Sequence, residues 1–191
     1  DIGVDRQAFG MAIAIQNLIL GVAQPLVGAL ADRFGAGRIA ALGGLLYALG
    51  LAWASMIADS LGLSLSLGFL VGFAMTGVTY VIAIGAAVRA VLPERRGFAT
   101  GIVTAGGSFG QFMLVPIAQG LIDGFGWREA MLIYAGLAAL LVPLAIGIAG
   151  RPVVSGNVTA PSQSLGQALS EASSHSGFWL LTAGFFVFGF H

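Results

Sequence analysis

The chain has 191 residues, of which 58% are hydrophobic and only 8% are charged. A soluble domain covers its surface with polar groups, and this composition is too apolar for one. The formal net charge is zero, which argues against nucleic-acid binding. Cysteine is absent, so disulfides and thiolate metal sites are excluded. We expect neither a cofactor nor a metal.

Five apolar segments follow one another along the chain, and they are called the first to fifth spans below. They cover about residues 9–31, 39–58, 61–91, 98–122 and 130–149, and a sixth run begins at Phe178. A helix needs roughly 20 residues to cross a bilayer, whereas a barrel strand needs about ten with alternating polarity. The long, non-alternating segments therefore predict an all-α membrane protein, with the lipid bilayer as a partner.

The arginine distribution predicts an orientation. All eight basic residues are arginines, and six lie on one side of the spans: Arg33, Arg38, Arg89, Arg95, Arg96 and Arg151. Basic residues concentrate in cytoplasmic loops, so the 32–38 loop, the 93–97 loop and a polar linker at 150–177 are predicted to be cytoplasmic. The arginine-only, alanine- and glycine-rich composition hints at a GC-rich bacterial gene, and hence at a bacterial inner membrane.

The order of the segments suggests part of a larger transporter. The chain opens in a polar stretch and closes inside an apolar run, so we expect a fragment. One more helix before Asp1 would place six spans ahead of the linker, which is the plan of carriers with two six-helix halves. On this interpretation residues 1–149 form a transmembrane bundle and 150–177 a cytoplasmic linker with a short helix at 165–172. Residues 178–191 begin another span, and the partner half is missing.

The loop between the first two spans carries a motif. It reads GALADRFGAGR from Gly28 to Arg38. It resembles the signature loop of the major facilitator superfamily, which lies between helices 2 and 3 on the cytoplasmic side, although Gly37 stands where a basic residue is usual. We expect Gly28 to allow a close helix contact and Gly35 a tight turn. Asp32 is expected to pair with an arginine or with a helix N-terminus in one conformation and to separate from it in another. The motif residues are Gly28, Asp32, Arg33, Gly35 and Arg38.

A second motif begins between the third and fourth spans. The sequence from Arg95 and Arg96 onward reads RRGFATG, and Phe125-Gly126-Trp127-Arg128 follows the fourth span. This region is similar to the helix 4–5 region of monocarboxylate porters and of bacterial oxalate/formate-type exchangers. The resemblance implies an alternating-access carrier of a small organic anion, often moved with a proton, whose visible spans are helices 2–6 and the start of helix 7. A different cargo, such as a drug, a sugar or another metabolite, is the alternative.

The resemblance also selects candidate substrate residues, because helices 1, 4, 7 and 10 of the superfamily line its central cavity. Arg89 is the one cation within the visible spans, and its alternative is to reach the interface. Thr76 and Tyr80 are four residues apart on one helix face, where we expect them to bind a substrate carboxylate or, as the alternative, the backbone or a neighbouring helix. His191 is a candidate for proton coupling or for a bond between helices. The family's substrate-binding charges lie mainly in helices 1 and 8.

Most other polar and small residues within the spans are predicted to join helices. The polar set is Asn17, Gln24, Gln111 and Gln119, and the glycine pairs are Gly68 with Gly72 and Gly106 with Gly110. One residue suggests catalysis instead, because Ser108 lies in a Gly-x-Ser-x-Gly pattern that is typical of a nucleophilic serine. That pattern requires a strand–turn–helix elbow, so an intramembrane serine protease is a remote alternative and we expect no enzyme.

Overall fold

The computed structural model of the chain describes residues 6–57, 59–148 and 165–188. They belong to two compact units, Asp1–Val153 and Val154–His191, which are described separately. The described part of the first unit is helical apart from short turns, and it contains five helical stretches long and apolar enough to cross a membrane. The predicted all-helical membrane fold is therefore confirmed.

The helices follow the predicted spans closely. α1 (Arg6–Phe34) forms the first span and α2 (Ala36–Met56) the second. The third span comprises α3 (Ser60–Leu63), a π-helical segment (Ser64–Val71), α4 (Gly72–Gly77) and α5 (Tyr80–Ala90). A 3₁₀ turn at Pro93–Arg95 leads into the fourth span, α6 (Arg96–Phe125). The fifth span consists of α7 (Trp127–Ala139) and α8 (Leu141–Ile148).

Two glycines make tight turns between spans. Gly35 joins α1 to α2 with a φ of 95°, and Gly126 joins α6 to α7 with a φ of 93°. Residues that carry a Cβ rarely adopt such conformations, so the tight turn expected at Gly35 is present. A side-chain cap defines the start of α3, where an Asp59 carboxylate oxygen accepts a hydrogen bond from the Gly62 amide at 2.8 Å.

The third span packs closely on the first and second spans. A Cβ added at Gly72 would lie 2.9 Å from the Cα of Gln16, and one at Gly43 would lie 3.0 Å from the Cα of Gly77. Membrane helices associate through small residues because these let two backbones approach each other. Among the described residues, the main buried cluster combines alanines of the second and fifth spans with Leu51, Leu63, Leu67 and Val71, so small side chains alternate with larger ones.

The fourth span is held in a different way. No residue of α6 is buried, and a Cβ at Gly106 or Gly110 would meet nothing within 4 Å. Tyr80 of α5 and Tyr134 of α7 instead donate hydrogen bonds to carbonyl oxygens of α6, at 3.4 and 2.6 Å. The predicted close contact is present for the glycine pair of the third span, whereas the Gly106–Gly110 pair contacts nothing among the described residues.

The third span is interrupted, although the sequence predicted a continuous helix. α4 ends at Gly77, and Val78 follows with φ −117° and ψ 17°. Thr79 is extended, with φ −72° and ψ 164°, and α5 begins at Tyr80. The apolar run contains no proline, so hydropathy alone gives no sign of the interruption.

The interruption divides the third span into two halves. The end of the bundle that carries Arg33, Arg38, Arg89, Arg95 and Arg96 is called the arginine-rich end below. The arginine-end half of the third span is Tyr80–Ala90. The opposite-end half runs over residues 60–77.

The second unit contains two described helices, α9 (Leu165–Ser174) and α10 (Ser176–Phe188). The short helix predicted at 165–172 is confirmed, and α10 begins close to the predicted start at Phe178. The Trp179 indole donates a hydrogen bond to the Ser173 carbonyl at 2.9 Å, which joins the two helices. Residues 149–164, which include most of the predicted linker, lie outside the described residues.

Candidate functional site

The signature loop and the arginine-end half of the third span meet at one place. Asp32 lies in the last turn of α1, and Arg89 lies in the last turn of α5. The Arg89 Nη1 atom is 3.9 Å from the Asp32 Oδ1 atom, and the side chains are 48% and 80% exposed, respectively. Exposed ion pairs contribute at most about 1 kcal/mol, so this pair is easily broken.

This pairing changes the interpretation of Arg89. The sequence predicts either a substrate-binding cation or a residue that reaches the interface. In the structure the guanidinium group lies beside Gly85 of its own helix and faces Asp32 of the first span. The geometry therefore identifies an arginine partner for Asp32, and the substrate-binding role of Arg89 stays a prediction.

The other motif residues surround the turn between α1 and α2. The Gly35 amide donates to a carbonyl of α1 at 2.9 Å, and its carbonyl accepts from an amide of α2 at 3.3 Å. The Arg33 guanidinium lies 5.4 Å from the ring centroid of the next residue, and Arg38 is exposed in the first turn of α2. A Cβ at Gly28 would meet nothing within 4 Å, so the close contact expected there is absent among the described residues.

Arg95 and Arg96 add positive charge to the same end. Arg95 precedes α6 and Arg96 is its first residue, and both are exposed. A helix N-terminus is itself positive, so α6 does not stabilise these cations. Five exposed arginines thus collect at this end against two acidic side chains, Asp32 and Glu94. The excess is typical of a cytoplasmic face, and the sidedness stays a prediction.

Thr76 and Tyr80 do not lie on one helix face, because the interruption at Val78 and Thr79 separates them. Thr76 is 1% exposed, and its hydroxyl donates to the Phe73 carbonyl at 2.5 Å. Tyr80 is 42% exposed and donates to a carbonyl of α6. The prediction of a shared face is therefore wrong, since four-residue spacing brings side chains together only in an unbroken helix.

Tyr80 fits against the fourth span because Gly107 has no side chain. A Cβ at Gly107 would overlap the hydroxyl group and the ring of Tyr80. The spacing rule selected Gly106 and Gly110 instead. A small-residue pattern identifies glycines that repeat along one helix, but it does not reveal a single glycine that faces a tyrosine of another span.

A hydrogen bond between two side chains, which the sequence analysis did not pair, holds the interruption against the first span. The Gln24 side-chain amide donates to Thr79 Oγ1 at 2.9 Å, and the Thr79 hydroxyl donates to a carbonyl of α4 at 3.3 Å. The predicted bond to another helix is thus confirmed for Gln24, whereas Asn17 and Gln119 bond within their own helices. The sequence did carry a signal for the interruption: Gly77 is followed by two β-branched residues, which favour extended backbone.

Two further candidates from the sequence remain to be placed. His191 lies outside the described residues. Ser108 is exposed within continuous α6, which lacks the strand–turn–helix elbow of a nucleophile. In the part of the chain that the structure describes, no group of His, Asp and Glu side chains could hold a metal ion.

Comparison with known proteins indicates the same family as the sequence motifs. The family model described as Major Facilitator Superfamily matches residues 1–191. Human monocarboxylate transporter 11 is 33% identical over 192 residues, which cover 93% of this chain and 38% of that protein. The mouse transporter 11 is also 33% identical, over 93% of this chain and 40% of its own length. Rat monocarboxylate transporter 12 is 42% identical over 95 residues, or 50% of this chain and 19% of that protein.

The matches cover most of this chain but only part of each relative. The chain spans about two fifths of the length of the transporter 11 relatives. A multi-pass membrane protein follows from the family match together with the five candidate spans. These relatives are mammalian, so they give no support to a bacterial inner membrane.

Proposed function

The chain belongs to the major facilitator superfamily, whose members are membrane transporters and not enzymes, and on this premise we propose that it is part of a carrier for a small organic anion. The expectation that it is not an enzyme is thereby confirmed. The proposed carrier works by alternating access and moves a proton together with the anion.

The observation that carries the proposal is the similarity to human monocarboxylate transporter 11 over 93% of the chain. The second sequence motif also resembles oxalate/formate-type exchangers, so oxalate and formate belong to the cargo class. A carboxylate is costly to move through a low-dielectric environment unless its charge is compensated. A co-transported proton supplies that compensation, which is why proton coupling is part of the proposal.

The loop motif is assigned to control of the arginine-rich end. Asp32 and Arg89 belong to different spans, so their pair opposes separation of the span ends. Because the pair is weak, it forms in one conformation and breaks in another without trapping either. Alternating access requires such reversible contacts, since a midplane site opens to one side at a time. Arg33 and Arg38 extend this gate along the same loop.

The proposal includes an arrangement of the whole chain. Residues 1–149 are helices 2–6, residues 150–177 a cytoplasmic linker, and residues 178–191 the start of helix 7. The 32–38 loop then faces the cytoplasm. Cations that bind the substrate belong to helices 1 and 8 of the full carrier, and His191 is retained as a candidate for proton coupling. The bacterial inner membrane rests on composition alone.

Uptake by the full-length protein in liposomes tests the function. Radiolabelled lactate, pyruvate, oxalate and formate are supplied with and without an inward proton gradient. We expect saturable uptake of at least one acid, stimulation by the gradient and a severalfold loss in Asp32→Asn. Asp123→Asn is the matched control, because it also converts a carboxylate to an amide, and Asp123 bonds only Gln119 of its own helix.

The outcomes separate the alternatives. Absence of uptake of every acid by folded protein would contradict the organic-anion proposal. Uptake of a sugar or a drug by the same preparation would establish a different cargo within the superfamily. Uptake that does not depend on the proton gradient would exclude proton coupling, while the organic-anion cargo would still be supported.

A further inference from the structure

The opposite-end half of the third span is fixed by contacts between backbones. Added Cβ atoms at Gly68, Gly72 and Gly77 would lie 3.1, 2.9 and 3.0 Å from backbone atoms of the first two spans. Close-packed interiors resist displacement, and here the packed atoms belong to the main chain. This half cannot move relative to its neighbours without moving whole helices.

The arginine-end half is held by side chains instead: an apolar cluster with residues of the first two spans, and the ends of two polar side chains. Ile82 is its one residue described as buried. Its contacts to other spans include the Tyr80 hydroxyl bond at 3.4 Å and the Arg89–Asp32 pair at 3.9 Å. Both distances are longer than optimal hydrogen bonds, and both side chains have several rotatable bonds. These two polar contacts by themselves offer little resistance to a change of tilt in this half.

Space for such a tilt lies beside the same half. A cavity of about 230 Å³ is lined by this half together with residues of the second and fifth spans. Small apolar side chains line most of this cavity, so a helix entering it would meet no charged group. The lining includes Ala36, Ala40, Ile82, Ala83, Ala86 and Leu144.

The interruption joins the two halves and keeps its hydrogen bonds within the protein. Backbone groups freed inside a membrane need partners, because hydrocarbon supplies none. The Val78 amide donates to the Met75 carbonyl, and the Thr79 carbonyl accepts from the Ala83 amide, both at 3.1 Å. The Gln24 amide binds the Thr79 hydroxyl and so ties the interruption to the first span.

We propose that Val78 and Thr79 form a hinge about which the arginine-end half of the third span tilts toward the cavity, and that Gln24 holds this hinge in the conformation described here. The Asp32–Arg89 pair restrains the far end of the tilting half. The hinge belongs to the membrane-embedded fold and does not depend on which cargo is carried.

Distances between spin labels test the hinge in the full-length protein. The absence of cysteine from this chain allows labels at chosen positions, with any cysteines elsewhere replaced. Labels on the pair Ala90→Cys and Ile146→Cys measure the distance across the cavity. The pair Leu61→Cys and Leu132→Cys reports on the opposite-end half. All four native residues are exposed, so labels fit without disturbing the core.

Gln24→Leu is expected to add a second, shorter distance to the cavity pair and to leave the opposite-end pair unchanged. Thr79→Val removes the other partner of the same bond and is expected to give the same result. Asn17→Leu is the matched control, since it removes an amide from the same helix that bonds only a carbonyl of that helix.

Either of two results would overturn the hinge. If the cavity pair keeps one distance in both Gln24→Leu and Thr79→Val, the interruption is rigid without Gln24. If both label pairs change together, the bundle is loosened as a whole. The melting temperature of each variant confirms that the molecules measured are folded. Because the readout is a distance, its failure is distinct from a failure to transport acids.

Discussion

The two halves of the third span come from one apolar segment and yet are held by different kinds of contact. The opposite-end half touches the backbones of its neighbours through glycines. The arginine-end half touches its neighbours through side chains: a tyrosine that packs on Gly107, an exposed ion pair and a small apolar cluster around Ile82. Contacts between backbones leave a helix no freedom to move, whereas contacts made by flexible side chains allow some movement. The difference suggests that one half anchors the bundle and that the other changes position.

Gly72→Ala should give the largest effect, because it tests the anchored half. The new Cβ would lie 2.9 Å from the Gln16 Cα, and overpacking of this kind costs about 1–3 kcal/mol. We expect a lower melting temperature for the purified protein. Gly136→Ala is the control, since nothing lies within 4 Å of its Cβ position and the higher helix propensity of alanine contributes up to about 1 kcal/mol. Equal melting temperatures for the two variants would refute the backbone contact.

Gly107→Ala should give a smaller effect, because the atoms that it meets belong to the Tyr80 side chain. A tyrosine ring can turn aside where a backbone cannot, so we expect a loss of about 1 kcal/mol or less. Tyr80→Leu removes the obstructing ring, so the double variant should lose less stability than the sum of the single variants. Strict additivity in thermal unfolding would show that Tyr80 does not pack on Gly107.

The Asp32–Arg89 pair should give the smallest effect on stability. A double-mutant cycle with Asp32→Asn and Arg89→Gln is expected to give a coupling free energy of at most about 1 kcal/mol, which decreases as salt is added. Chemical unfolding at two salt concentrations measures it. A coupling that is large and independent of salt would mean that the pair is buried and anchors the arginine-end half as firmly as glycines anchor the other.

The spans and the tight turn were predictable from sequence for definite physical reasons. A helix must have a minimum apolar length to cross a bilayer, and each span meets that requirement. Gly35 was predictable because the turn needs a conformation that other residues avoid. The interruption after Gly77 was not predictable in this way, since a single threonine does not lower the mean hydropathy of the long apolar run enough to mark a break.

The partners of the site residues depend on how the spans pack. The motif indicated that Asp32 pairs with an arginine or with a helix N-terminus, but five arginines lie at the same end and only the packing selects Arg89. Gln24 was expected to bond another helix, but its partner Thr79 became accessible only because the third span is broken there. Thr76 and Tyr80 were misplaced for the same reason.

Cross-linking the gate tests most directly whether movement of the arginine-end half is needed for transport. Asp32→Cys and Arg89→Cys are bridged with a reducible bifunctional thiol reagent in the full-length protein, and acid uptake is measured before and after reduction. Met56→Cys and Leu61→Cys, at the opposite end, form the control pair. The account predicts that bridging the first pair stops the uptake that the unbridged variant retains, that reduction restores this level, and that bridging the control pair leaves uptake unchanged. Equal uptake by the bridged and the reduced forms of the first pair would contradict it.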